Sequence, residues 1–294
     1  MAAEELIVQT AQRRGRAAEP LDMHIGQVLL RAGKLTESDI KRIVSLQSNR
    51  EIRFGDAALS LGMVERCDIQ QALSLQFAYP YLHEGDSALS SALVAAYQPF
   101  GAQAESMRKL RTQLSMRWFA DHRCLAVASA RAHEGASLIA ANLAIAFAQI
   151  GQRTLLIDAN FRTPRQHALF GLGIEIGLST ILVERSSFEG ALSSIEMFDN
   201  LSVLCSGAIP PNPQELLLRP RFRHVIETAP EDFDVVIVDT PPLLEFAEAQ
   251  TIVARTKGCL LAMRKHCTRV ADVQHAKALL QPASATLVGT ALCS

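Results

Sequence analysis

Apolar residues follow two different periods along this chain. Between residues 24 and 76 they recur at helical spacing. Leu29, Leu30, Ile40, Ile43 and Val44 form one stripe, and Ala58, Leu59, Ile69, Ala72 and Leu73 form the next; such stripes predict amphipathic helices. The two stretches are copies of one another. HIGQVLLRAGKLTESDIKRIVSLQ (24–47) aligns with RFGDAALSLGMVERCDIQQALSLQ (53–76), pairing Gly26 with Gly55, Gly33 with Gly62, Asp39 with Asp68, Ile40 with Ile69 and Gln47 with Gln76. Each copy reads as a short helix ended by glycine, a turn, and a second helix opened by a polar cap, with Thr36 and Asp39, then Glu65 and Asp68, supplying acidic first turns. One unit cannot bury its apolar face alone, whereas two stacked units can. The expectation is a small all-helical domain over residues 21–85, after a polar tail (1–20) that carries RRGR at 13–16.

Further along, the apolar positions run together instead of alternating. Leu125–Ala128, Thr154–Ile157, Leu201–Leu204, Val235–Val238, Cys259–Met263 and Leu287–Leu292 are strand-length runs, most of them separated by helical segments. Continuous apolar strands alternating with helices predict an α/β domain: a mostly parallel sheet with helices on both faces. A helix over roughly Gln103–Phe119 opens it, with Met107, Leu110, Leu114 and Trp118 on one side. On that helix Glu105, Arg108 and Arg111 lie three apart and climb a common side. The turn-rich EGDSALSSALVAAYQPFG (84–101) reads as a linker, taken as 86–101, so the second domain spans 102–294.

Composition narrows the classes. The chain has 294 residues, 49% apolar, with 29 basic against 30 acidic residues. That length and apolar content support two folded domains, and the near-neutral charge gives no support to a general nucleic-acid or membrane-surface binder. Six scattered cysteines without a C-x-x-C pair read as reduced thiols of a cytosolic protein. No apolar stretch reaches the roughly 18 residues of a membrane span.

The chemistry concentrates in Cys124–Asp158. A strand runs into a loop (Ala130–Gly135), then a helix (Ser137–Gln149), then a second strand ending at Asp158. Loop amides and a helix N-terminus bind anionic phosphate, so the backbone of His133, Glu134, Gly135, Ala136, Ser137 and Leu138 is the candidate phosphate cradle. Gly135 permits close backbone approach, and Ser137 sits where a hydroxyl ligates Mg²⁺. Asp239 ends VVIVD, a buried strand, and belongs at the same sheet rim as Asp158. Ser137, Asp158 and Asp239 are therefore the candidate metal ligands; Asp158, Asn160 and Asp239 are the candidate catalytic set. Arg162 is a candidate contact for phosphate or a neighbouring subunit. The phosphate-loop pattern G-x-x-x-x-G-K-[ST] is incomplete, because Ala136 stands where it requires Lys.

Glu105-x-x-Arg108-x-x-Arg111, the loop 130–137, IDANFRTPRQH (157–167), SGAIPPNPQELL (206–217) and VVIVDTPP (235–242) together resemble the bacterial tyrosine kinases of exopolysaccharide synthesis, over nearly the whole chain. The resemblance implies a MinD/ParA-like fold, a P-loop NTPase-like domain binding ATP and Mg²⁺. It also implies ring contacts between subunits through Glu105, Arg108 and Arg111, hence a homo-oligomer. A membrane-embedded polysaccharide co-polymerase, or chain length determinant, is the implied partner. It would hold a cytoplasmic protein at the inner face of the membrane. The helical repeat resembles the N-terminal domain of type II secretion and pilus assembly ATPases, some of which bind cyclic di-GMP through Arg-Leu-Gly. Here the second copy has Arg53-Phe54-Gly55 and the first only His24-Ile25-Gly26, which favours protein docking over the dinucleotide.

Three departures qualify the resemblance. Ala136 replaces the loop Lys, and Asn160 replaces the second Asp of D-x-D. The sequence stops at Cys293-Ser294 without a tyrosine-rich tail, its tyrosines being Tyr79, Tyr81 and Tyr97. Loss of one preorganised charge at a developing phosphoryl group costs about 100- to 1000-fold in rate. The expectation is a kinase-like protein controlling polymer length with impaired phosphotransfer. The alternatives are an active tyrosine kinase that uses another cation, such as Arg131 or Arg162, and a non-enzymatic adaptor or cyclic-dinucleotide sensor. A ParA-type partitioning ATPase fits least, since the loop contains no Lys.

Overall fold

The computed structural model describes residues 24–76, 80–82 and 89–293, so the polar tail 1–20 lies outside the described residues. The chain divides into two compact units, residues 1–80 and 81–294.

The first unit carries the repeat as two helix pairs, Ile25–Arg31 with Glu37–Arg50 and Phe54–Ser60 with Arg66–Gln76. The caps repeat as well. Thr36 N donates to Asp39 Oδ2 at 3.0 Å, and Glu65 N donates to Asp68 Oδ2 at 2.8 Å. Thr36 Oγ1 accepts from Asp39 N, which completes a capping box. Lys34 Nζ reaches Asp68 at 2.9 Å and ties the first copy to the second. Gly26 lets its helix lie close to the Phe54 ring, which an added Cβ would approach to 3.1 Å. Val28, Leu29, Ile43, Ala57, Ala58 and Ala72 form the buried core. Of the predicted stripe, Val44 faces outward at 45% exposure, and Leu30, Ile40, Leu59 and Leu73 are only half-buried. With two short units, the core is too thin to cover every apolar position.

The second unit is the expected α/β domain. Its strands are β1 (Cys124–Ser129), β2 (Thr154–Asp158), β3 (Ser193–Ser194), β4 (Leu201–Leu204), β5 (Val235–Asp239), β6 (Gly258–Arg264) and β7 (Thr286–Cys293). They form one sheet in the order β3-β4-β2-β5-β1-β6-β7, parallel except for the two-residue edge strand β3. That strand is too short and too polar to leave an apolar run. Alternate residues of the central strands feed opposite faces: Leu125, Val127, Leu156 and Ile237 one way, Ala126, Ala128, Leu155 and Val236 the other. The first face is covered by the helices Ala102–Arg117 and Ala136–Ala148, the second by Pro220–Asp232, Ala247–Thr256 and Val270–Leu280. Every residue from Ile139 to Ala148 is buried, so beyond its first turn this helix has no solvent face.

The expected linker is corrected by the structure. Residues 86–88 lie outside the described residues, but Leu93, Ala95 and Ala96 are buried in the core of the second unit. Tyr81 and Leu82, assigned above to the helical domain, belong there too, with Leu82 N donating to Ala96 O at 2.8 Å. The strap is held by polar side chains of the buried helix. Asn142 Oδ1 accepts from Ala95 N at 2.8 Å, Asn142 Nδ2 donates to Ala92 O, and Gln149 Nε2 donates to Ala95 O at 2.8 Å. Buried backbone groups need partners, and these two side chains supply them. Asn142→Ala strands the Ala95 amide in the core, so it is expected to lower unfolding free energy by about 2 kcal/mol. Chemical denaturation checks this; an unchanged midpoint would return 89–97 to linker status.

Candidate functional site

The loop after β1 bends sharply through two left-handed residues, His133 (φ 65°) and Gly135 (φ 91°). Histidine is among the side chains that tolerate this region, and glycine adopts it freely. An added Cβ at Gly135 would stand 2.9 Å from Cys293 Sγ, so glycine is needed for space as well. The loop is braced from several sides. Glu134 is buried and accepts from Arg131 N at 2.9 Å and from Thr268 Oγ1 at 2.7 Å. Glu245 accepts from Ala132 N at 3.0 Å, and Arg264 donates to His133 O at 3.3 Å.

These braces engage the early amides and leave the later ones. The backbone N–H groups of His133, Glu134, Gly135, Ala136, Ser137 and Leu138 donate to no acceptor among the described residues; the first helical bond is Ile139 N to Gly135 O. Six successive free amides at the N-terminus of a 13-residue helix present concentrated positive potential, the arrangement that binds phosphate.

The acids lie on neighbouring strands. β2 and β5 pair in register, with Asp158 opposite Asp239, and both side chains are fully buried. Asp158 Oδ1 accepts from Asn160 N at 3.1 Å, and Oδ2 accepts from Arg165 N at 3.0 Å and Gln166 N at 2.9 Å. Asp239 Oδ2 accepts from Gln166 Nε2 at 2.8 Å, and the Ser137 hydroxyl draws the pKa of this carboxyl down. Its Oδ1 is buried without a hydrogen-bond partner among the described residues. Burial pushes Asp158 up to about 6, against the pull of its three amide donors. Burial and then the neighbouring Asp158 charge push Asp239 up to about 8. Such a pair favours a cation beside it. Asp239, with a spare oxygen and the Ser137 hydroxyl alongside, fits an oxygen-ligated divalent ion. Asp158 has both oxygens occupied and acts as the anchor of residues 159–166.

Several of the expected site residues are bonded within the chain. Asn160 does not face the acids: its amide closes its own turn, donating to Thr163 Oγ1 and accepting from Thr163 N. Arg162 is held by buried Glu248 at 3.0 Å and lies over the Phe246 ring. Arg131 is taken by Asp272 in a bidentate pair at 2.9 and 3.0 Å. Neither arginine is free to replace the missing Lys. On the helix Ala102–Arg117, Arg108 pairs with Glu105 at 2.6 Å and also donates to Pro99 O, while Arg111 donates to Ala146 O at 2.8 Å. The sequence pattern does not single out Gln166, yet this residue is fully buried and links Ser137 O to Asp239. The only signal for it is its place in the polar run after Asp158.

No family model matches this sequence. The tyrosine-protein kinase YwqD of Bacillus subtilis is 36% identical over 201 residues, 67% of this chain and 83% of that protein. The putative tyrosine-protein kinase CapB of Staphylococcus aureus is 32% identical over 168 residues, 57% of this chain and 73% of that one. Among solved structures, the chimerical protein CapA2B2 superposes with a TM-score of 0.66 at 31% identity, covering 76% of this chain and 97% of that one. The kinase domain of Escherichia coli tyrosine kinase ETK gives 0.65 at 30% identity, covering 68% and 78%. MinD of Pyrococcus horikoshii, solved with Mg-ADP, gives 0.51 at 20% identity, covering 58% of this chain and 70% of that one, a likeness of fold. The sheet and helices described above are that P-loop fold.

The acid pair sets a pH dependence for the protein without nucleotide or Mg²⁺. With its pKa raised, native Asp239 keeps a proton that the unfolded chain releases, so the stability this proton contributes is lost as pH climbs toward about 8. Asp239→Asn is therefore expected to raise the melting temperature, more at about pH 8 than at about pH 5. An equal shift at both values would mean that Asp239 is ionised throughout.

Proposed function

We propose, since this chain belongs to the bacterial tyrosine-protein kinases of capsule and exopolysaccharide biosynthesis, that it is a nucleotide-binding member with weak or absent phosphotransfer. The observation that carries the reading is the cradle itself: six free amides on one helix N-terminus beside two buried strand-end acids, with Ala136 in place of the usual cation. In this reading the amides of His133 to Leu138 hold the phosphates of ATP. Ser137 and Asp239 hold Mg²⁺, and Asp158 with Gln166 keeps them in place. The metal supplies charge neutralisation on phosphoryl oxygens. Ala136 is itself buried in the core, so the fold tolerates its small side chain while the site loses a charge.

The described tyrosines support limited self-phosphorylation. Tyr81 is only 9% exposed, and the Tyr97 hydroxyl donates to Leu89 O at 2.8 Å; Tyr79 lies outside the described residues. A second reading, an active kinase acting on another molecule with a different cation, keeps the same site. Control of polymer length with a membrane co-polymerase, ring contacts through Glu105, Arg108 and Arg111, and a place at the inner face of the membrane are carried over from the resemblance. No described helix is long and apolar enough to cross a membrane. The comparisons give no support to cyclic di-GMP at the helical domain, and docking of a protein partner remains the proposal for it.

Incubation of pure protein with labelled ATP and Mg²⁺ tests the reading. Wild type is expected to form little phosphotyrosine, and Ala136→Lys is expected to raise it by about 100- to 1000-fold, the usual worth of one preorganised charge. Robust phosphotyrosine in wild type, unchanged by Ala136→Lys, would replace this reading with the second.

A further inference from the structure

A phosphate site without its lysine leaves negative charge uncompensated, and the arginines around this one are mostly committed. Arg131 is engaged by Asp272, Arg162 by Glu248 and Phe246, and Arg264 by the carbonyl of His133. Arg165 differs from them all. Its backbone N–H donates to Asp158 Oδ2 at 3.0 Å, which fixes its Cα beside the acid pair. Its neighbour Gln166 is buried and touches both Ser137 O and Asp239 Oδ2, so residue 165 sits next to the first turn of the phosphate helix. The Arg165 side chain is exposed and makes no hydrogen bond or ion pair among the described residues.

We propose that Arg165 supplies the phosphate-neutralising cation of this chain, entering from the β2 side of the site instead of from the loop. The proposal rests on the nucleotide reading above. A guanidinium group is well matched to phosphate, since it stays charged and its fork of donors fits the phosphate oxygens. Its position differs from that of a loop lysine, because it is anchored through Asp158 rather than through the helix N-terminus. The same carboxylate thus orders the Arg165 backbone and faces the metal ligand Asp239 across the strand pair.

Calorimetric titration of the full chain with ATP and Mg²⁺ tests this through affinity rather than turnover. Arg165→Ala is expected to weaken binding about tenfold or more, the worth of a charge-assisted hydrogen bond. Arg165→Lys should retain most of it, and melting temperatures should not move, since the side chain is exposed. Ala136→Lys should gain more affinity in the Arg165→Ala background than in wild type, because the two cations would serve one charge. Unchanged binding in Arg165→Ala would overturn the proposal and leave the nucleotide site standing. So would a loss confined to Arg264→Ala, which would place the cation on the other side of the loop. Binding by Ala136→Lys alone, with none in wild type, would also overturn it. No binding by either would remove the nucleotide reading itself, and this proposal with it.

Discussion

Two carboxylates stand side by side at the ends of β2 and β5, fully shielded from water, and much of the surrounding structure answers that fact. A buried ion is costly unless it is paired or hydrogen-bonded. Asp158 offsets that cost with three backbone amides, and those bonds in turn shape residues 159–166. One product of that shape is Gln166, driven inward until it bonds Asp239 and the carbonyl of Ser137. The strand tips, the chain after β2 and the start of the phosphate helix are therefore one hydrogen-bonded unit. What it still lacks is positive charge, since the free oxygen of Asp239 has no donor among the described residues.

The phosphate loop follows a complementary logic. Its early amides are satisfied by carboxylates of this same chain, Glu134 and Glu245, while its late amides are left to a ligand. Further braces come from Thr268, Arg264 and Cys293, all on or after β6, so the loop keeps its form partly through the far half of the sheet. Behind the loop lies a helix with no polar face. It is clamped between the sheet and the strap 89–97, and its two buried amides, Asn142 and Gln149, serve the strap. A cradle built on such an element is rigid before any nucleotide arrives, which favours binding by preorganisation.

Charge distribution explains how the family architecture persists here without its lysine. Ala136 packs into the core, so nothing in the fold suffers from its size. Two of the arginines nearest in sequence to the site motifs are structural. Arg162 neutralises Glu248, which is otherwise buried alone, and Arg131 fastens the loop to the helix Val270–Leu280 through Asp272. The fold thus does not depend on a charge at position 136, because Ala136, Arg131 and Arg162 all serve packing or ion pairs within the chain.

The sequence by itself determined the elements that depend on local pattern. Runs such as VVIV and TLLI could only be buried parallel strands, the copy at residues 53–76 revealed the helical repeat, and Gly135 with Asp158 and Asp239 marked the sheet rim. Decisions left to the tertiary structure all involve partners far apart in the chain. Residues 89–97 looked like linker because the side chains that bury them, Asn142 and Gln149, lie some fifty positions on. Asn160 looked like a displaced acid but closes its own turn. Arg162 looked free until the helix Ala247–Thr256 brought Glu248 beneath it. The reason is the strand order: β5 inserts between β1 and β2, and only that crossover sets Asp158 against Asp239 and decides which polar side chains fall between them.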